Sequence, residues 1–355
     1  MSSDNSNDDV TAIDVATGSF EEAQEWVGRS GDTFFAAEPV NRSMIQFYAG
    51  LIEDANPSFW DERFAANHWG AIRSPPGLFW TWKMDPEWTP GPDVEEADGE
   101  DVSVTDVPLP GGKDTIINTQ SKTTIHRPLL VGTQLNWQTS IESVSEEKET
   151  RVGVGNFVTE KTTYRDGGGE LVAEESNVML RYSADNEEER TESFDTPFAE
   201  GRRAIDVPDG QGPDDPYASI DIAEISPGDG VEGFEFPVTY TKVVHNAAAT
   251  RDFSGHHHDP EYTRSRGNET IFLNTMALQG LADRVAVQWA GPEWRIAERE
   301  IAIQGTAYAG DKLSVGAEVT DVDENEGRIE LGVTMDNDGR DVCPSSVTLV
   351  RDGVK

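Results

Sequence analysis

One short segment gathers most of the side chains that could exchange protons near neutral pH. It reads ATRDFSGHHHDPEY over residues 249–262, and its three consecutive histidines are half of the six in the chain. Asp252 and His257 lie five residues apart, so on a loop both side chains could reach one water molecule. Histidine titrates near neutral pH and can pass a proton in either direction. The segment is therefore the first candidate for an acid–base site.

A metal centre is the alternative interpretation of the same histidines. Adjacent histidines rarely all face one ion, because metal sites usually space their ligands two to five residues apart or draw them from distant segments. Alternation along an extended segment would turn His256 and His258 away from His257. His245, further upstream, is expected to be structural or to face solvent. We therefore predict no metal.

Composition excludes several classes of protein. The 355 residues carry 67 acidic and 28 basic side chains, a formal net charge of -39. No basic face is visible, so binding to nucleic acid is not expected. The 9 Trp and 14 Phe residues indicate a chain that folds. Acidity spread through the chain is typical of proteins that work in high salt, where charge repulsion is screened.

Targeting signals and disulfides are not expected. The start, MSSDNSNDDVTAIDV, has neither a basic nor an apolar region of a signal peptide. No run approaches 18 apolar residues, so no membrane span is predicted. Cys343 is the single cysteine, which leaves no disulfide framework. A cytoplasmic protein is the expectation.

A weak internal repeat divides the chain into two halves. Asp54 and Asp252 each end a short helix-like stretch, and seven residues later Asp61 and Asp259 also correspond. Further along, the segments from Gly132 and from Gly310 each begin G-x-x-L and continue as three strand-like runs, with an Asp-Gly turn before the third. Each half is therefore predicted to contain short helices followed by antiparallel strands.

The later helix of the second half has a clear pattern. The run NTMALQGLADRVAVQW, Asn274–Trp289, begins at a capping asparagine, ends before Gly291 and Pro292, and is apolar nearly all round. A long buried helix wrapped by an antiparallel sheet is the hot-dog arrangement. The matching run of the first half, SPPGLFWTWKMDPEW, is short and interrupted by prolines.

We predict an α+β fold, a double hot dog in which two antiparallel sheets each wrap a central helix. The proposed boundaries are a flexible acidic N-terminus over 1–17, a first hot-dog domain over 18–190, a linker over 191–234 and a second hot-dog domain over 235–355.

The second half resembles the MaoC-like dehydratases, a family that includes the R-specific enoyl-CoA hydratases, here in a form adapted to high salt as in halophilic archaea. The family motif is Asp, Phe, Asn, Pro, any residue, His, any residue, Asp, Pro. This chain has DFSGHHHDP, so Asp252 and His257 take the Asp and His positions, while Ser254 and Gly255 replace Asn-Pro. The first half, with EDANPSFWDE, has Phe59 at the histidine position.

The resemblance implies a lyase with one active site per chain, in the second half. The reaction would be reversible hydration of a trans-2-enoyl-CoA, or dehydration of an (R)-3-hydroxyacyl-CoA, with coenzyme A as part of the substrate and no other cofactor. A thioester oxygen also needs N–H donors, and the start of the buried helix at Asn274 and Thr275 offers them. The first half would be catalytically inactive, because phenylalanine carries no proton.

Coenzyme A is an anion, so cationic side chains must offset the acidic field where its phosphates bind. Arg284 and Arg295 are the first candidates, and Arg299, Arg264 and Arg266 are further ones. An aromatic set in the first half could either pack its core or line an opening for the acyl group. Its members are Trp60, Trp69, Phe79, Trp80, Trp82 and Trp88.

Two other functions stay open from the residues alone. A hot-dog thioesterase would use a carboxylate on or near the central helix, for which Asp283 or Glu269 is the available choice. A non-catalytic partner subunit of a heteromeric dehydratase is the other. The repeat makes one chain equivalent to a dimer of hot dogs, so a monomer and a homodimer are both consistent with the sequence.

Overall fold

The computed structural model describes residues 15–86, 99–111, 113–183 and 215–351. Seven helices lie in these ranges: α1 (Phe20–Gln24), α2 (Arg42–Leu51), α3 (Pro57–Trp60), α4 (Glu62–His68), α5 (Tyr240–Thr250), α6 (Pro260–Ser265) and α7 (Thr275–Ala290). Short 3₁₀ segments occur at Pro76–Leu78, Trp80–Lys83, Ile222–Glu224 and Gly255–His257. Within the described ranges no helix is both long and apolar enough to cross a membrane.

The strands of the first half are β1 (Phe34–Phe35), β2 (Thr115–Ile125), β3 (Leu135–Val144), β4 (Lys148–Thr150), β5 (Gly153–Asp166) and β6 (Leu171–Ser183). Those of the second half are β7 (Gly230–Pro237), β8 (Trp294–Ala302), β9 (Lys312–Asp323), β10 (Arg328–Asn337), β11 (Arg340–Asp341) and β12 (Ser345–Arg351).

In the described part of the chain these strands form one antiparallel sheet in the order β1-β3-β5-β6-β2-β8-β12-β10-β9-β7, with β4 paired to β5 and β11 to β10. The two halves join where β2 pairs with β8, from Gln120 opposite Ala302 to Thr124 opposite Glu298. Each half therefore supplies a contiguous block of strands, and the backbone hydrogen bonds run across the junction without a break.

The helix predicted over Asn274–Trp289 is confirmed as α7. The Asn274 side chain accepts a hydrogen bond from the Ala277 N–H, and the chain leaves the helix at Gly291 with a φ of 89°. That φ favours glycine because it has no Cβ. Helix α7 packs on strands β7, β8, β9, β10 and β12, so it is the central helix of the second hot dog. Its counterpart in the first half is the pair of 3₁₀ segments at 76–83, as the prolines predicted.

The internal repeat is confirmed in three dimensions. Helices α2 and α5 pack against each other, and each is followed by a residue with a φ of 57°, Glu53 in one half and Arg251 in the other. The next residue is the corresponding aspartate, Asp54 or Asp252. Non-glycine residues seldom adopt positive φ, so this shared conformation fixes the equivalence of the two loops at a constant offset of 198 residues.

The predicted domain boundaries fall only partly within the described residues. Most of the N-terminal segment 1–17 and most of the linker 191–234 lie outside the described residues. Strand β7 pairs with β9 from Gly230 onward, so the second hot dog begins a few residues before the predicted boundary at 235.

Candidate active site

The candidate catalytic loop, residues 251–259, follows directly from the end of α5. Arg251 turns the chain out of the helix and forms an ion pair with Glu38 of the first half. A 3₁₀ turn then spans Gly255–His257, and Asp259 caps α6 through the N–H groups of Glu261 and Tyr262. These local bonds close the loop from both ends, so its side chains have fixed positions.

Asp252 and His257 are brought together as predicted. The His257 Nε2 lies 3.3 Å from the Asp252 Oδ2. The His257 Nδ1 lies 2.7 Å from the Phe272 carbonyl oxygen and is assigned as the donor, since a carbonyl can only accept. Because Nδ1 donates its proton to this carbonyl oxygen, Nε2 is the nitrogen that can exchange a proton.

Burial and hydrogen bonding oppose each other at Asp252. Burial favours the neutral acid, but hydrogen bonds from His257, Asn274 and the Ser254 N–H outweigh it and lower the pKa of Asp252. The side chain keeps 24% of its surface exposed, against 8% for His257. The Asp252 carboxylate is therefore ionised near neutral pH and partly accessible to solvent or a small ligand.

Asn274 and Thr275 lie at the start of α7, beside this pair. The Asn274 Nδ2 is 3.1 Å from the Asp252 Oδ2, and its Oδ1 caps the Ala277 N–H. The side chain of Asn274 is therefore engaged with the protein itself. The first-turn N–H groups of Thr275 and Met276 precede the capped one, and such groups have no partner within their own helix.

The other histidines do not join the pair. His256 packs among the rings of Tyr262 and Phe272, and burial lowers the pKa of His256 to about 4, so its ring is neutral near neutral pH. His258 contacts the Phe253 carbonyl oxygen, and His245 contacts the Phe47 carbonyl oxygen. These placements agree with the packing roles expected for them.

No group of three or more His, Cys, Asp or Glu side chains suited to a metal ion occurs in residues 15–86, 99–111, 113–183 and 215–351. The groups that contact Asp252 and His257, besides each other, are the Asn274 amide, the Ser254 N–H and the Phe272 carbonyl oxygen.

The equivalent site of the first half has a different character. Asp54 is 3% exposed and Phe59, at the histidine position, is 2% exposed. Burial raises the pKa of Asp54 to about 6, although the Asn56 N–H and the cations Arg284 and Arg73 favour the charged form. The two equivalent aspartates thus have pKa values shifted in opposite directions, and no proton-carrying partner stands at the position of His257.

A cavity lies beside Asp54. Its walls are mostly apolar and include Phe59, Phe79, Leu129 and Ile296, with Asp283 of α7 opposite Asp54. Of the aromatic set, only Phe79 lines it; Trp69 and Trp82 donate hydrogen bonds to Ser58 and Ser74. Trp60 donates to the Asp54 carbonyl oxygen. Trp80 packs against a smaller hydrophobic cluster of the first half. Trp88 lies outside the described residues. The set thus acts mainly in packing.

The structure contradicts the prediction that Arg284 binds the phosphates of coenzyme A. Its side chain is 1% exposed, donates to the Ile52 carbonyl oxygen and stacks on the Phe234 ring. Arg295 is partly exposed and donates to the Ile125 carbonyl oxygen. It lies beyond the C-terminal end of α7, a helix of about 24 Å at 1.5 Å per residue, whereas Asp252 lies at the N-terminal end. Sequence reasoning misplaced Arg284 because its charge suggested exposure.

Asp283, the carboxylate on α7 that a thioesterase could use, is already paired with another side chain. Asp283 is 4% exposed and accepts from Arg299 at 2.5 Å. Glu269 is exposed and precedes α7 rather than lying on it.

Sequence reasoning missed two residues of the site. Phe272 accepts a hydrogen bond from His257 through its backbone oxygen, a contact that no side-chain pattern in the sequence predicts. Thr250 contributes a hydroxyl that contacts the Asn274 amide at 2.8 Å. Its position as the last residue of α5, two before Asp252, was the available signal.

The two-halved sheet with its central helix α7 is a double hot dog of the dehydratase-like class, and comparison with known proteins agrees. Residues 25–175 match the family model described as FAS1-like, dehydratase domain region. A solved structure described as a MaoC-like dehydratase superimposes with a TM-score of 0.68 at 17% identity, covering 93% of this chain and 100% of the other. A Mycobacterium tuberculosis protein described as having a double hotdog fold superimposes with a TM-score of 0.59 at 15% identity, over 90% and 96% of the two chains.

Relatives at higher identity are subunits of hydratases. The chain is 34% identical over 162 residues to a probable enoyl-CoA hydratase alpha subunit of Thermomonospora curvata, which is 45% of this chain and 50% of that protein. It is 35% identical over 109 residues to the 3-oxo-4,17-pregnadiene-20-carboxyl-CoA hydratase beta subunit of Mycobacterium tuberculosis, which is 31% of this chain and 83% of that protein. The chain thus spans about half the length of the alpha subunit and most of the beta subunit. It belongs to the MaoC-like dehydratase family, and its predicted double hot-dog fold is confirmed.

Proposed function

We propose that the protein is a hydro-lyase that reversibly hydrates a trans-2-enoyl-CoA, or dehydrates the corresponding (R)-3-hydroxyacyl-CoA, at one site in its second half. The observation that carries the proposal is the Asp252/His257 pair, with His257 Nε2 at 3.3 Å from the carboxylate and Nδ1 committed to the Phe272 carbonyl oxygen. The names of the relatives at 34% and 35% identity support the same reaction class.

In this proposal a water molecule contacts both the Asp252 carboxylate and His257 Nε2. The Asp252 carboxylate takes one proton as the water oxygen forms its bond to C3 of the enoyl group, and passes it to His257 Nε2 once Nε2 has given its own proton to C2. The C2–C3 π electrons move to the thioester oxygen, and the proton on Nε2 is then delivered to C2. The hydroxyl ends on C3 and the hydrogen on C2, with both side chains returned to their starting state. Dehydration is the reverse.

The developing charge on the thioester oxygen needs donors, and the first-turn N–H groups of Thr275 and Met276 are the proposed ones. They lie at the N-terminus of the 16-residue helix α7, where the helix dipole favours negative charge. The Asn274 side chain is assigned a different task, because its amide already contacts Asp252 and caps the helix.

The phosphates of coenzyme A would lie nearer α6 than Arg284. Arg264 and Arg266, both partly exposed, belong to the segment that immediately follows the catalytic loop. In a chain of net charge -39 such local cations are needed for an anionic substrate to approach.

We further propose that one polypeptide combines the parts that the relatives divide between an alpha and a beta subunit. The chain matches alpha and beta subunits, and its two halves share a sheet through the β2–β8 pairing. A homodimer of such chains, or a heteromeric complex with another subunit, would be a further level of assembly. Mass measurement in solution at molar KCl decides between them.

The first experiment follows the loss of enoyl absorbance with crotonyl-CoA in molar KCl. Wild type is expected to hydrate it, and Asp252→Asn and His257→Ala are expected to lose ~100-fold or more of kcat. Asp54→Asn is the matched control, because Asp54 holds the equivalent position in the first half and should leave kcat unchanged.

Two results would replace the proposal. Release of free thiol without hydration would point to a thioesterase. Inactivity toward short, long and branched enoyl-CoAs alike would favour the role of a non-catalytic subunit, which the subunit names of the relatives also suggest.

A further inference from the structure

We propose that Thr250 and Asn274 are positioning residues that fix the orientation of the Asp252 carboxylate, and this inference rests on the function proposed above. Neither residue needs to touch substrate to act. Both are buried, Thr250 at 0% and Asn274 at 5% exposure. They come from different helices, α5 and α7, and meet behind the catalytic loop.

The Asn274 amide has three partners that together fix which way it points. Its Nδ2 donates to the Asp252 Oδ2 at 3.1 Å and to the Thr250 Oγ1 at 2.8 Å, while its Oδ1 accepts from the Ala277 N–H at 3.0 Å. A rotated amide would set its oxygen against a carboxylate and its NH₂ against an N–H. The donor toward Asp252 is therefore enforced by the geometry.

Thr250 contributes to that enforcement as an acceptor. Its hydroxyl has one proton, and that proton goes to the Asn246 carbonyl oxygen at 2.7 Å. Only lone pairs remain to face Asn274, so the hydroxyl accepts from the amide and excludes the rotated orientation. A chain of three hydrogen bonds thus runs from the end of α5 through the start of α7 to the carboxylate.

The inactive half provides an internal comparison. At the offset of 198 residues that relates Asp54 to Asp252 and Phe59 to His257, the position of Thr250 is occupied by Ile52. Isoleucine cannot accept a hydrogen bond, although the following residue has the same φ of 57° in both halves. The backbone of the turn therefore does not require the hydroxyl. It is present in the half that retains the acid–base pair.

The charges around Asp252 make the arrangement testable. His257 and, beside it, His256 belong to the loop itself, and Arg251 is paired with Glu38. Helix α5 faces it with Thr250, and α7 faces it with the uncharged Asn274. Asn274→Asp would keep a helix cap, since Asp and Asn cap equally well. It would also replace the donor by a second carboxylate beside Asp252.

The experiment measures kcat/KM for crotonyl-CoA against pH for wild type and four variants. Asn274→Asp is expected to lose ~100-fold in kcat with little change in KM. Its acid limb should move upward by about one pH unit or more, because like charge favours the protonated form of Asp252. Asn274→Ser keeps a cap without adding charge but removes the hydrogen bond that helps to lower the pKa of Asp252, so it should lower kcat and move the limb upward by less than Asn274→Asp does. Thr250→Val should lose roughly tenfold, and Thr250→Ser should restore most of that loss.

An NMR measurement, which does not depend on turnover, tests the positioning role separately from the proposed function. The ring signals of the six histidines can be followed by NMR, with His257 assigned through His257→Asn. Ionisation of Asp252 perturbs the His257 ring, so Asn274→Asp should move that acidic inflection to higher pH. If wild type hydrates no enoyl-CoA but the inflection moves, the proposed function fails and the positioning role stands. An inflection that does not move, or a Thr250→Ser variant as impaired as Thr250→Val, would overturn the positioning role.

Discussion

Asp54→Asn is the substitution for which the structure predicts a gain in stability. The Asp54 carboxyl is buried, and burial raises the pKa of Asp54 from 3.8 to about 6. Since one pKa unit corresponds to about 1.4 kcal/mol, a rise of roughly two units means that ionising Asp54 costs the folded state about 3 kcal/mol. Asparagine has nearly the same shape, stays neutral, and can still accept from the Asn56 N–H through its oxygen.

The sign of the pH dependence follows from proton binding. Between about pH 4 and pH 6 the folded protein binds more protons at Asp54 than the unfolded chain does, so wild-type stability falls as pH rises through this window. Asp54→Asn lacks that loss. Its advantage in the free energy of unfolding should therefore be near zero at about pH 4 and reach roughly 3 kcal/mol above about pH 7.

Urea unfolding in molar KCl at several pH values measures this difference. Asp252→Asn is the matched comparison, because hydrogen bonds lower the pKa of Asp252 despite its burial, so its neutral replacement should give no such gain. An advantage for Asp54→Asn that is absent at pH 8, or equally large at pH 4, would refute the assignment of a costly buried charge. Loss of hydratase activity in Asp54→Asn would contradict the inactive role of the first half.

Two further substitutions test the packing of the catalytic loop. His256→Phe should keep wild-type kcat in the crotonyl-CoA assay, because His256 is neutral and packs among the rings of Tyr262 and Phe272; a loss comparable to that of His257→Ala would give His256 a direct role. Gly255→Ala should lower the melting temperature, because a Cβ at Gly255 would overlap the Tyr262 ring. Adding Tyr262→Ala should then recover part of the loss, and a purely additive double variant would show that the two positions do not interact.

Local sequence patterns were enough to predict the elements that repeat. Turn residues, the capping Asn274 and the apolar run after it predicted α7 to within a residue of its observed bounds. The prolines predicted that the equivalent helix would be short. The five-residue spacing and the resemblance to the MaoC-like motif identified the pairing of Asp252 with His257, and the resemblance of the first half placed Phe59 at the histidine position.

The role of each charged side chain depends instead on the packing of distant segments. Arg284 and Asp283 are as polar in sequence as any surface residue, yet packing of the two halves buries them with Ile52 and Arg299 as partners. Asp54 and Asp252 occupy equivalent turns, but one is enclosed by apolar walls and the other is met by His257 and Asn274, so their pKa values move apart. Local sequence sets the backbone of these loops. The pKa of a side chain depends on neighbours that are distant along the chain, and those are known only once α7 and both blocks of the sheet have come together.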